Sequence, residues 1–290
     1  MADGLQGFEN DWLDRRVGFL LDRADAHLAK QDDRSRACAA TLFTDAAAIG
    51  FMRKDQASAQ KHLHEAGSHF LGLGLPHGAL LLLLATQGSE GRENLRLMLR
   101  GATARGKEGD SIRAEMGPLF TQAVHRPEQL LSLAISAAMA EAGDGYDDPG
   151  ERQSQDEGLR GLLHTYRSHP VGASGLPVAA FLRLLEFGQG VEAPNLEASG
   201  NVQMDAMTLL TRRSRQLASA YEDHHHWRLL LSPAALLDFD LVALFAIWWA
   251  HGHSPRAEMP NPGPRQPPML MLPVDVARGL SPRRERPLEA

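Results

Sequence analysis

Apolar positions recur at spacings of three and four along most of this chain, and sustained period-two alternation is absent, so the pattern predicts an all-α protein. Trp12, Val17, Phe19, Leu20, Leu21, Ala24 and Leu28 mark a first amphipathic helix with an untidy apolar stripe. Residues 37–51 and 56–71 follow as an alanine-rich pair of helices joined by the polar turn Arg53-Lys54-Asp55. Phe43, Ala46, Ala47, Ala59, Leu63 and Ala66 stand where two antiparallel helices would touch. The second helix ends at Gly72-Leu73-Gly74-Leu75-Pro76, a glycine and proline stop. The spacing fits one tetratricopeptide-type hairpin. No second copy recurs at a fixed period, which disfavours a repeat array.

Further helices are predicted over residues 77–86, 90–105, 111–121 and 128–142, with Gly106-Lys107-Glu108-Gly109 as a break. Residues 143–158 turn polar, acidic and glycine-bearing, which reads as a linker or loop. Beyond them the pattern predicts helices over 159–167, 177–187, 204–221 and 233–251, with short extended pieces near 190–194 and 268–273. Pro260, Pro262, Pro264, Pro267 and Pro268 exclude a continuous helix there. Apolar residues 269–273 then return to pack on the body. The expected architecture is a multi-helix bundle of antiparallel hairpins with this proline-rich segment packing back. Its organisation is an N-terminal helical lobe at 1–142, the acidic linker or loop at 143–158, a C-terminal helical lobe at 159–275 and a disordered tail at 276–290. The two lobes could equally form one continuous domain.

The chain's 290 residues, 43% of them hydrophobic, suffice for a sizeable core. A net charge of -6 argues against a general nucleic-acid binder, which needs a basic field. The single cysteine, Cys38, excludes an internal disulfide and a multi-cysteine zinc site, and its alanine-rich setting reads as a buried helix position. The first residues are acidic and lack the apolar core of a secretory leader. The apolar runs 79–85 and 241–250 fall short of the roughly 20 residues that span a bilayer. Extended backward, the second run meets Asp240, Asp238 and Pro233. The expectation is a cytoplasmic protein without a membrane partner; its self-association is left open.

Histidines supply the candidate chemistry. His62, Glu65 and His69 share a helical face, but His64 and His69 stand five apart, so the two-histidine spacing of a zinc protease helix is missed. A solvated polar stripe is the preferred reading. His224, His225 and His226 cannot all face one ion from a regular helix, since consecutive residues diverge by about 100°. They read as a helix-end cluster, with metal binding as the alternative, aided by His251 and His253. Asp238 and Asp240 flank Phe239 inside an apolar helix that Ser232 caps and Pro233 opens. Spaced by two they diverge, and the expectation is that one pairs with a histidine or arginine of a neighbouring helix. Phe239, Phe245, Trp248 and Trp249 read as core, but adjacent tryptophans cannot both face inward, so one lines a groove or a partner surface.

Two regions carry a family resemblance. Residues 42–70, LFTDAAAIGFMRKDQASAQKHLHEAGSHF, present a small-residue helix, a charged turn and a second helix with alanine-rich contacts. Residues 214–273 add His226-Trp227, the apolar helix over 236–250, the break at Gly252 and the late Leu272-Pro273. Together they resemble the helical immunity protein family 49 of bacterial polymorphic-toxin systems. About a third of the chain is covered; residues 144–158 and the prolines at 260–268 depart from the pattern. The resemblance implies a protein that binds a cognate toxin inside the producing cell and blocks it, with no catalytic residues, metal or other cofactor. Its proposed partner contacts are Trp248, Trp249, Arg212, Arg213 and Arg215, with Asp147 and Asp148 of the acidic stretch. Two other classes stay open: a helical-repeat adaptor in signalling or secretion, and a histidine-dependent metallohydrolase.

Overall fold

The computed structural model describes residues 10–87, 90–144, 149–164, 170–171, 176–177, 182–185, 232–255 and 272–282. The fold is all-α. α1 (Asn10–Leu28) buries Leu13 and Leu20 against Ala46 and Ile49 of α2 (Asp33–Met52). Phe19 leaves the predicted stripe: it is 47% exposed, with the guanidiniums of Arg16 and Arg23 over its ring.

α2 and α3 (Gln56–Gly72) start at aspartate caps, where Asp32 accepts the Ser35 N–H at 2.8 Å and Asp55 that of Ser58 at 3.2 Å. They form the expected hairpin, and its small residues let the backbones close up. A Cβ added to Gly50 would stand 2.9 Å from the Ala59 Cβ. α3 stops where Gly74 turns left-handed (φ 74°) and the Leu75 N–H returns to the Phe70 carbonyl at 3.0 Å. Pro76 then opens α4 (Pro76–Ala85), where only His77 of PHGALLLLLA escapes full burial. A helix apolar all round must be enclosed. α3, α5 (Arg92–Thr103), α8 (Pro127–Asp144) and α11 (Phe239–Ala250) enclose it.

Between α5 and α8 lie α6 (Gly106–Met116) and α7 (Pro118–Ala123). Residues 106–109, read as a break, form the first turn of α6. Gly117, at φ 95°, splits the helix predicted over 111–121. The acidic linker is also corrected, since α8 reaches Asp144 and α9 (Pro149–His164) begins within it. Local acidity did not outweigh the packing of Leu159 and Leu163 into the core. Within the helix predicted over 177–187, Pro177 is extended and only 182–185 is helical among the described residues. A two-residue antiparallel pair, β1 (Pro170–Val171) and β2 (Leu176–Pro177), aligns Pro170 with Pro177.

The C-terminal part comprises α10 (Pro233–Leu237), α11 and α12 (Leu272–Leu280). α12 takes in residues 276–280, read from sequence as tail, and Leu272 and Pro273, the end of the stretch 268–273 read as extended. Its Leu272, Val274, Ala277 and Leu280 are buried. The predicted helix at 204–221 and the prolines at 260–268 lie outside the described residues. One apolar core runs from Ala24 to Leu280 and draws on both expected lobes. Contacts such as α2 with α10 and α4 with α11 join distant parts of the chain, unlike a solenoid, whose repeats touch only neighbours. Residues Pro233–Ala250 are long and apolar enough to cross a membrane, yet Asp238 breaks them and 71% of the stretch is buried within the protein. That is also the setting of a core helix.

Candidate functional site

A cluster of polar side chains lies where α4, α8 and α11 meet. Each first turn is set locally: Pro76 opens α4 and puts His77 second, while Asp238 caps α11 and puts Asp240 second. Asp238 is left-handed (φ 57°) and its Oδ1 accepts the Leu241 N–H at 3.3 Å. The continuous helix expected from 233 to 251 is therefore two helices. Its supposed interior aspartate is the cap of the second, a position that suits the residue better than a helix interior.

His77 Nδ1 stands 4.0 Å from Asp240 Oδ1, with the side chains 29% and 15% exposed. The oxygen is buried without a hydrogen-bond partner. Burial lowers the His77 pKa to about 4, against an opposing pull from Asp238. Burial likewise raises Asp240 to about 6, opposed by a hydrogen bond from Ser132. At neutral pH the imidazole is thus uncharged and the contact is no ion pair. The Ser132 hydroxyl also donates to the Glu128 carbonyl at 3.1 Å; its one proton can serve either acceptor at a time. Phe70 and the imidazole pack edge to face, with ring centroids 5.9 Å apart.

In a serine nucleophile system the imidazole stands between hydroxyl and carboxylate and takes the serine proton. Here the carboxylate occupies the middle. The expected pairing of one aspartate with a histidine or arginine of a neighbouring helix is met only as a 4.0 Å approach of Asp240 to His77, without a hydrogen bond.

A second buried carboxylate, Asp45 of α2, accepts hydrogen bonds from the Ser232 hydroxyl and, at 3.0 Å, from the Ala234 N–H. Ser232 holds the N-cap position of α10 as expected, but its side chain caps nothing. Asp45 does the capping instead. Burial raises its pKa, and these two hydrogen bonds oppose the rise.

The sequence-selected residues divide sharply. Trp248 is 1% exposed, and its Nε1–H donates to the Leu184 carbonyl at 2.9 Å, so it presents no surface to a partner. Trp249 is half-buried, with the Arg278 guanidinium 5.5 Å from its ring centroid. Arg212, Arg213, Arg215, Asp147, Asp148 and His224 to His226 lie outside the described residues. His62 is buried rather than solvated. Phe43 stacks on both His62 and His69, at 6.5 and 5.8 Å, and burial lowers both histidine pKa values. Cys38 is half-buried.

Among the described residues, no three His, Cys, Asp or Glu side chains are grouped to hold a metal ion. His77, Ser132 and Asp45 were not selected from sequence. A lone histidine in an otherwise apolar helix was the available signal for His77. Neither Ser132 nor Asp45 carries a local mark, because their partners lie on other helices. The chain matches no protein-family model, no curated protein and no solved structure.

Proposed function

We propose that this protein binds a cognate toxin in the cytoplasm of the bacterium that makes it and blocks the toxin by occupying it. The observation that carries the reading is the meeting of the two resembling regions. The 42–70 hairpin and the start of α10 pack together through Asp45, with Ser232 and the Ala234 N–H as its partners. Segments far apart in sequence thereby contribute to one helical body, which is what a binding scaffold requires.

Trp249 with Arg278 is the described part of the proposed contact surface, since tryptophan and arginine commonly anchor interfaces. Arg212, Arg213, Arg215, Asp147 and Asp148 are its other proposed members. The test is co-expression with bacterial toxin domains, beginning with any encoded beside this gene. Growth rescue and a one-to-one complex on size-exclusion chromatography are expected; a toxin that remains active and unbound sinks the proposal.

A further inference from the structure

The His77–Asp240 contact joins the first turns of two helices whose starts are far apart in sequence. Both side chains sit at helix N-termini, where the backbone dipoles disfavour an imidazolium; they also favour a carboxylate, but Asp240 Oδ1 is buried with no hydrogen-bond partner, and that desolvation penalises the anion. α8 contributes the Ser132 hydroxyl, α3 the Phe70 ring, and the α10–α11 junction the Asp238 carboxylate. α12 directs Arg278 to Trp249, toward the other end of α11. An acidifying medium can therefore place a proton on the aspartate before the histidine.

We propose that His77 and Asp240 are a proton-sharing pair that keeps the α4–α11 joint intact as pH falls. Solvent supplies the proton, an O–H bond forms at Asp240 Oδ1, and the neutral imidazole accepts it through Nδ1 while carrying its own hydrogen on Nε2. The 4.0 Å gap then closes to hydrogen-bonding distance. The joint changes from anion beside neutral ring to a neutral hydrogen-bonded pair. No buried imidazolium is created.

Nitrogen-15 NMR of the histidine rings, with carbon-13 spectra of the aspartate carboxyls, tests this on the full chain between pH 7 and 5. His77 is expected to stay neutral as the Nε2–H tautomer at pH 5, where an ordinary imidazole would be about 97% charged. Its Nδ1 shift should move toward that of a hydrogen-bond acceptor as the Asp240 carboxyl titrates. In Asp240→Asn that movement should vanish. An imidazolium at pH 5, or an Asp240 carboxyl that stays ionised there, overturns the proposal. The native-chain spectra decide it even if the variant does not fold.

Discussion

Asp45, midway along α2, caps α10 from 189 residues away by accepting the Ala234 N–H, while the Ser232 hydroxyl donates to the same oxygen. The carboxylate is buried, so these bonds are what make its interior position tolerable. Asp45→Ala leaves the Ala234 N–H of α10 without its cap and is expected to cost about 1–2 kcal/mol in urea unfolding. Ser232→Ala should cost about 1 kcal/mol. In the double variant the two losses should be less than additive, because both remove one contact. Strict additivity would show that the contact contributes nothing to stability.

The two buried groups at the α4–α11 joint should give opposite pH slopes. The folded chain binds fewer protons at His77 than the unfolded chain as pH falls from 6.5 toward 4, so stability is lost on acidification. At Asp240 the folded chain binds more protons between 6 and 3.8, so stability is gained. Native protein should therefore vary little between pH 7 and 5. Asp240→Asn should lose about 1–2 kcal/mol over that interval, and His77→Asn should gain about 1 kcal/mol. Urea midpoints at the two pH values check it; parallel slopes in the two variants would refute the assignment.

The α3–α4 contact depends on two glycines. A Cβ at Gly78 would lie 2.4 Å from the Leu71 backbone nitrogen, and one at Gly67 would lie 2.8 Å from that of Leu82. Because backbone cannot move aside cheaply, Gly78→Ala should destabilise by about 3 kcal/mol. Gly161→Ala, in α9 with nothing within 4 Å, should instead stabilise by about 0.5–1 kcal/mol. Thermal unfolding separates the two; equal effects would contradict the packing described.

The adjacent tryptophans should part company. Trp248→Ala removes a buried ring and orphans the Leu184 carbonyl, at a cost of about 3–5 kcal/mol. Trp249→Ala should cost much less in folding, yet weaken the proposed toxin complex by about 2 kcal/mol or more. Calorimetric titration with the toxin domain measures the second effect. Undiminished affinity would remove Trp249 from the interface.

Helix periodicity, the polar turn Arg53-Lys54-Asp55 and the stop at Gly72 to Pro76 are short-range signals, so the α2–α3 hairpin and the helix after Pro76 were legible in the sequence. The Asp32 cap, which starts α2 four residues earlier than expected, was not read. The inward and outward division of Trp248 and Trp249 was also foreseeable, because neighbours on a helix diverge by about 100°. Which ring goes inward was not. That depends on the Leu184 carbonyl standing where Trp248 Nε1 can reach it. The break at Asp238 was missed because Pro233–Ala250 has a helix-like composition throughout. Its left-handed turn lets α10 meet Asp45 while α11 enters the core. The same holds for the polar joint: a histidine after Pro76 and an aspartate after Phe239 carry no mutual signal in sequence. Local chemistry decided where α2, α3 and α4 start and stop; the cap of α10 and the meeting of buried polar groups awaited tertiary packing, because desolvation and hydrogen bonding act between groups that only the fold brings together.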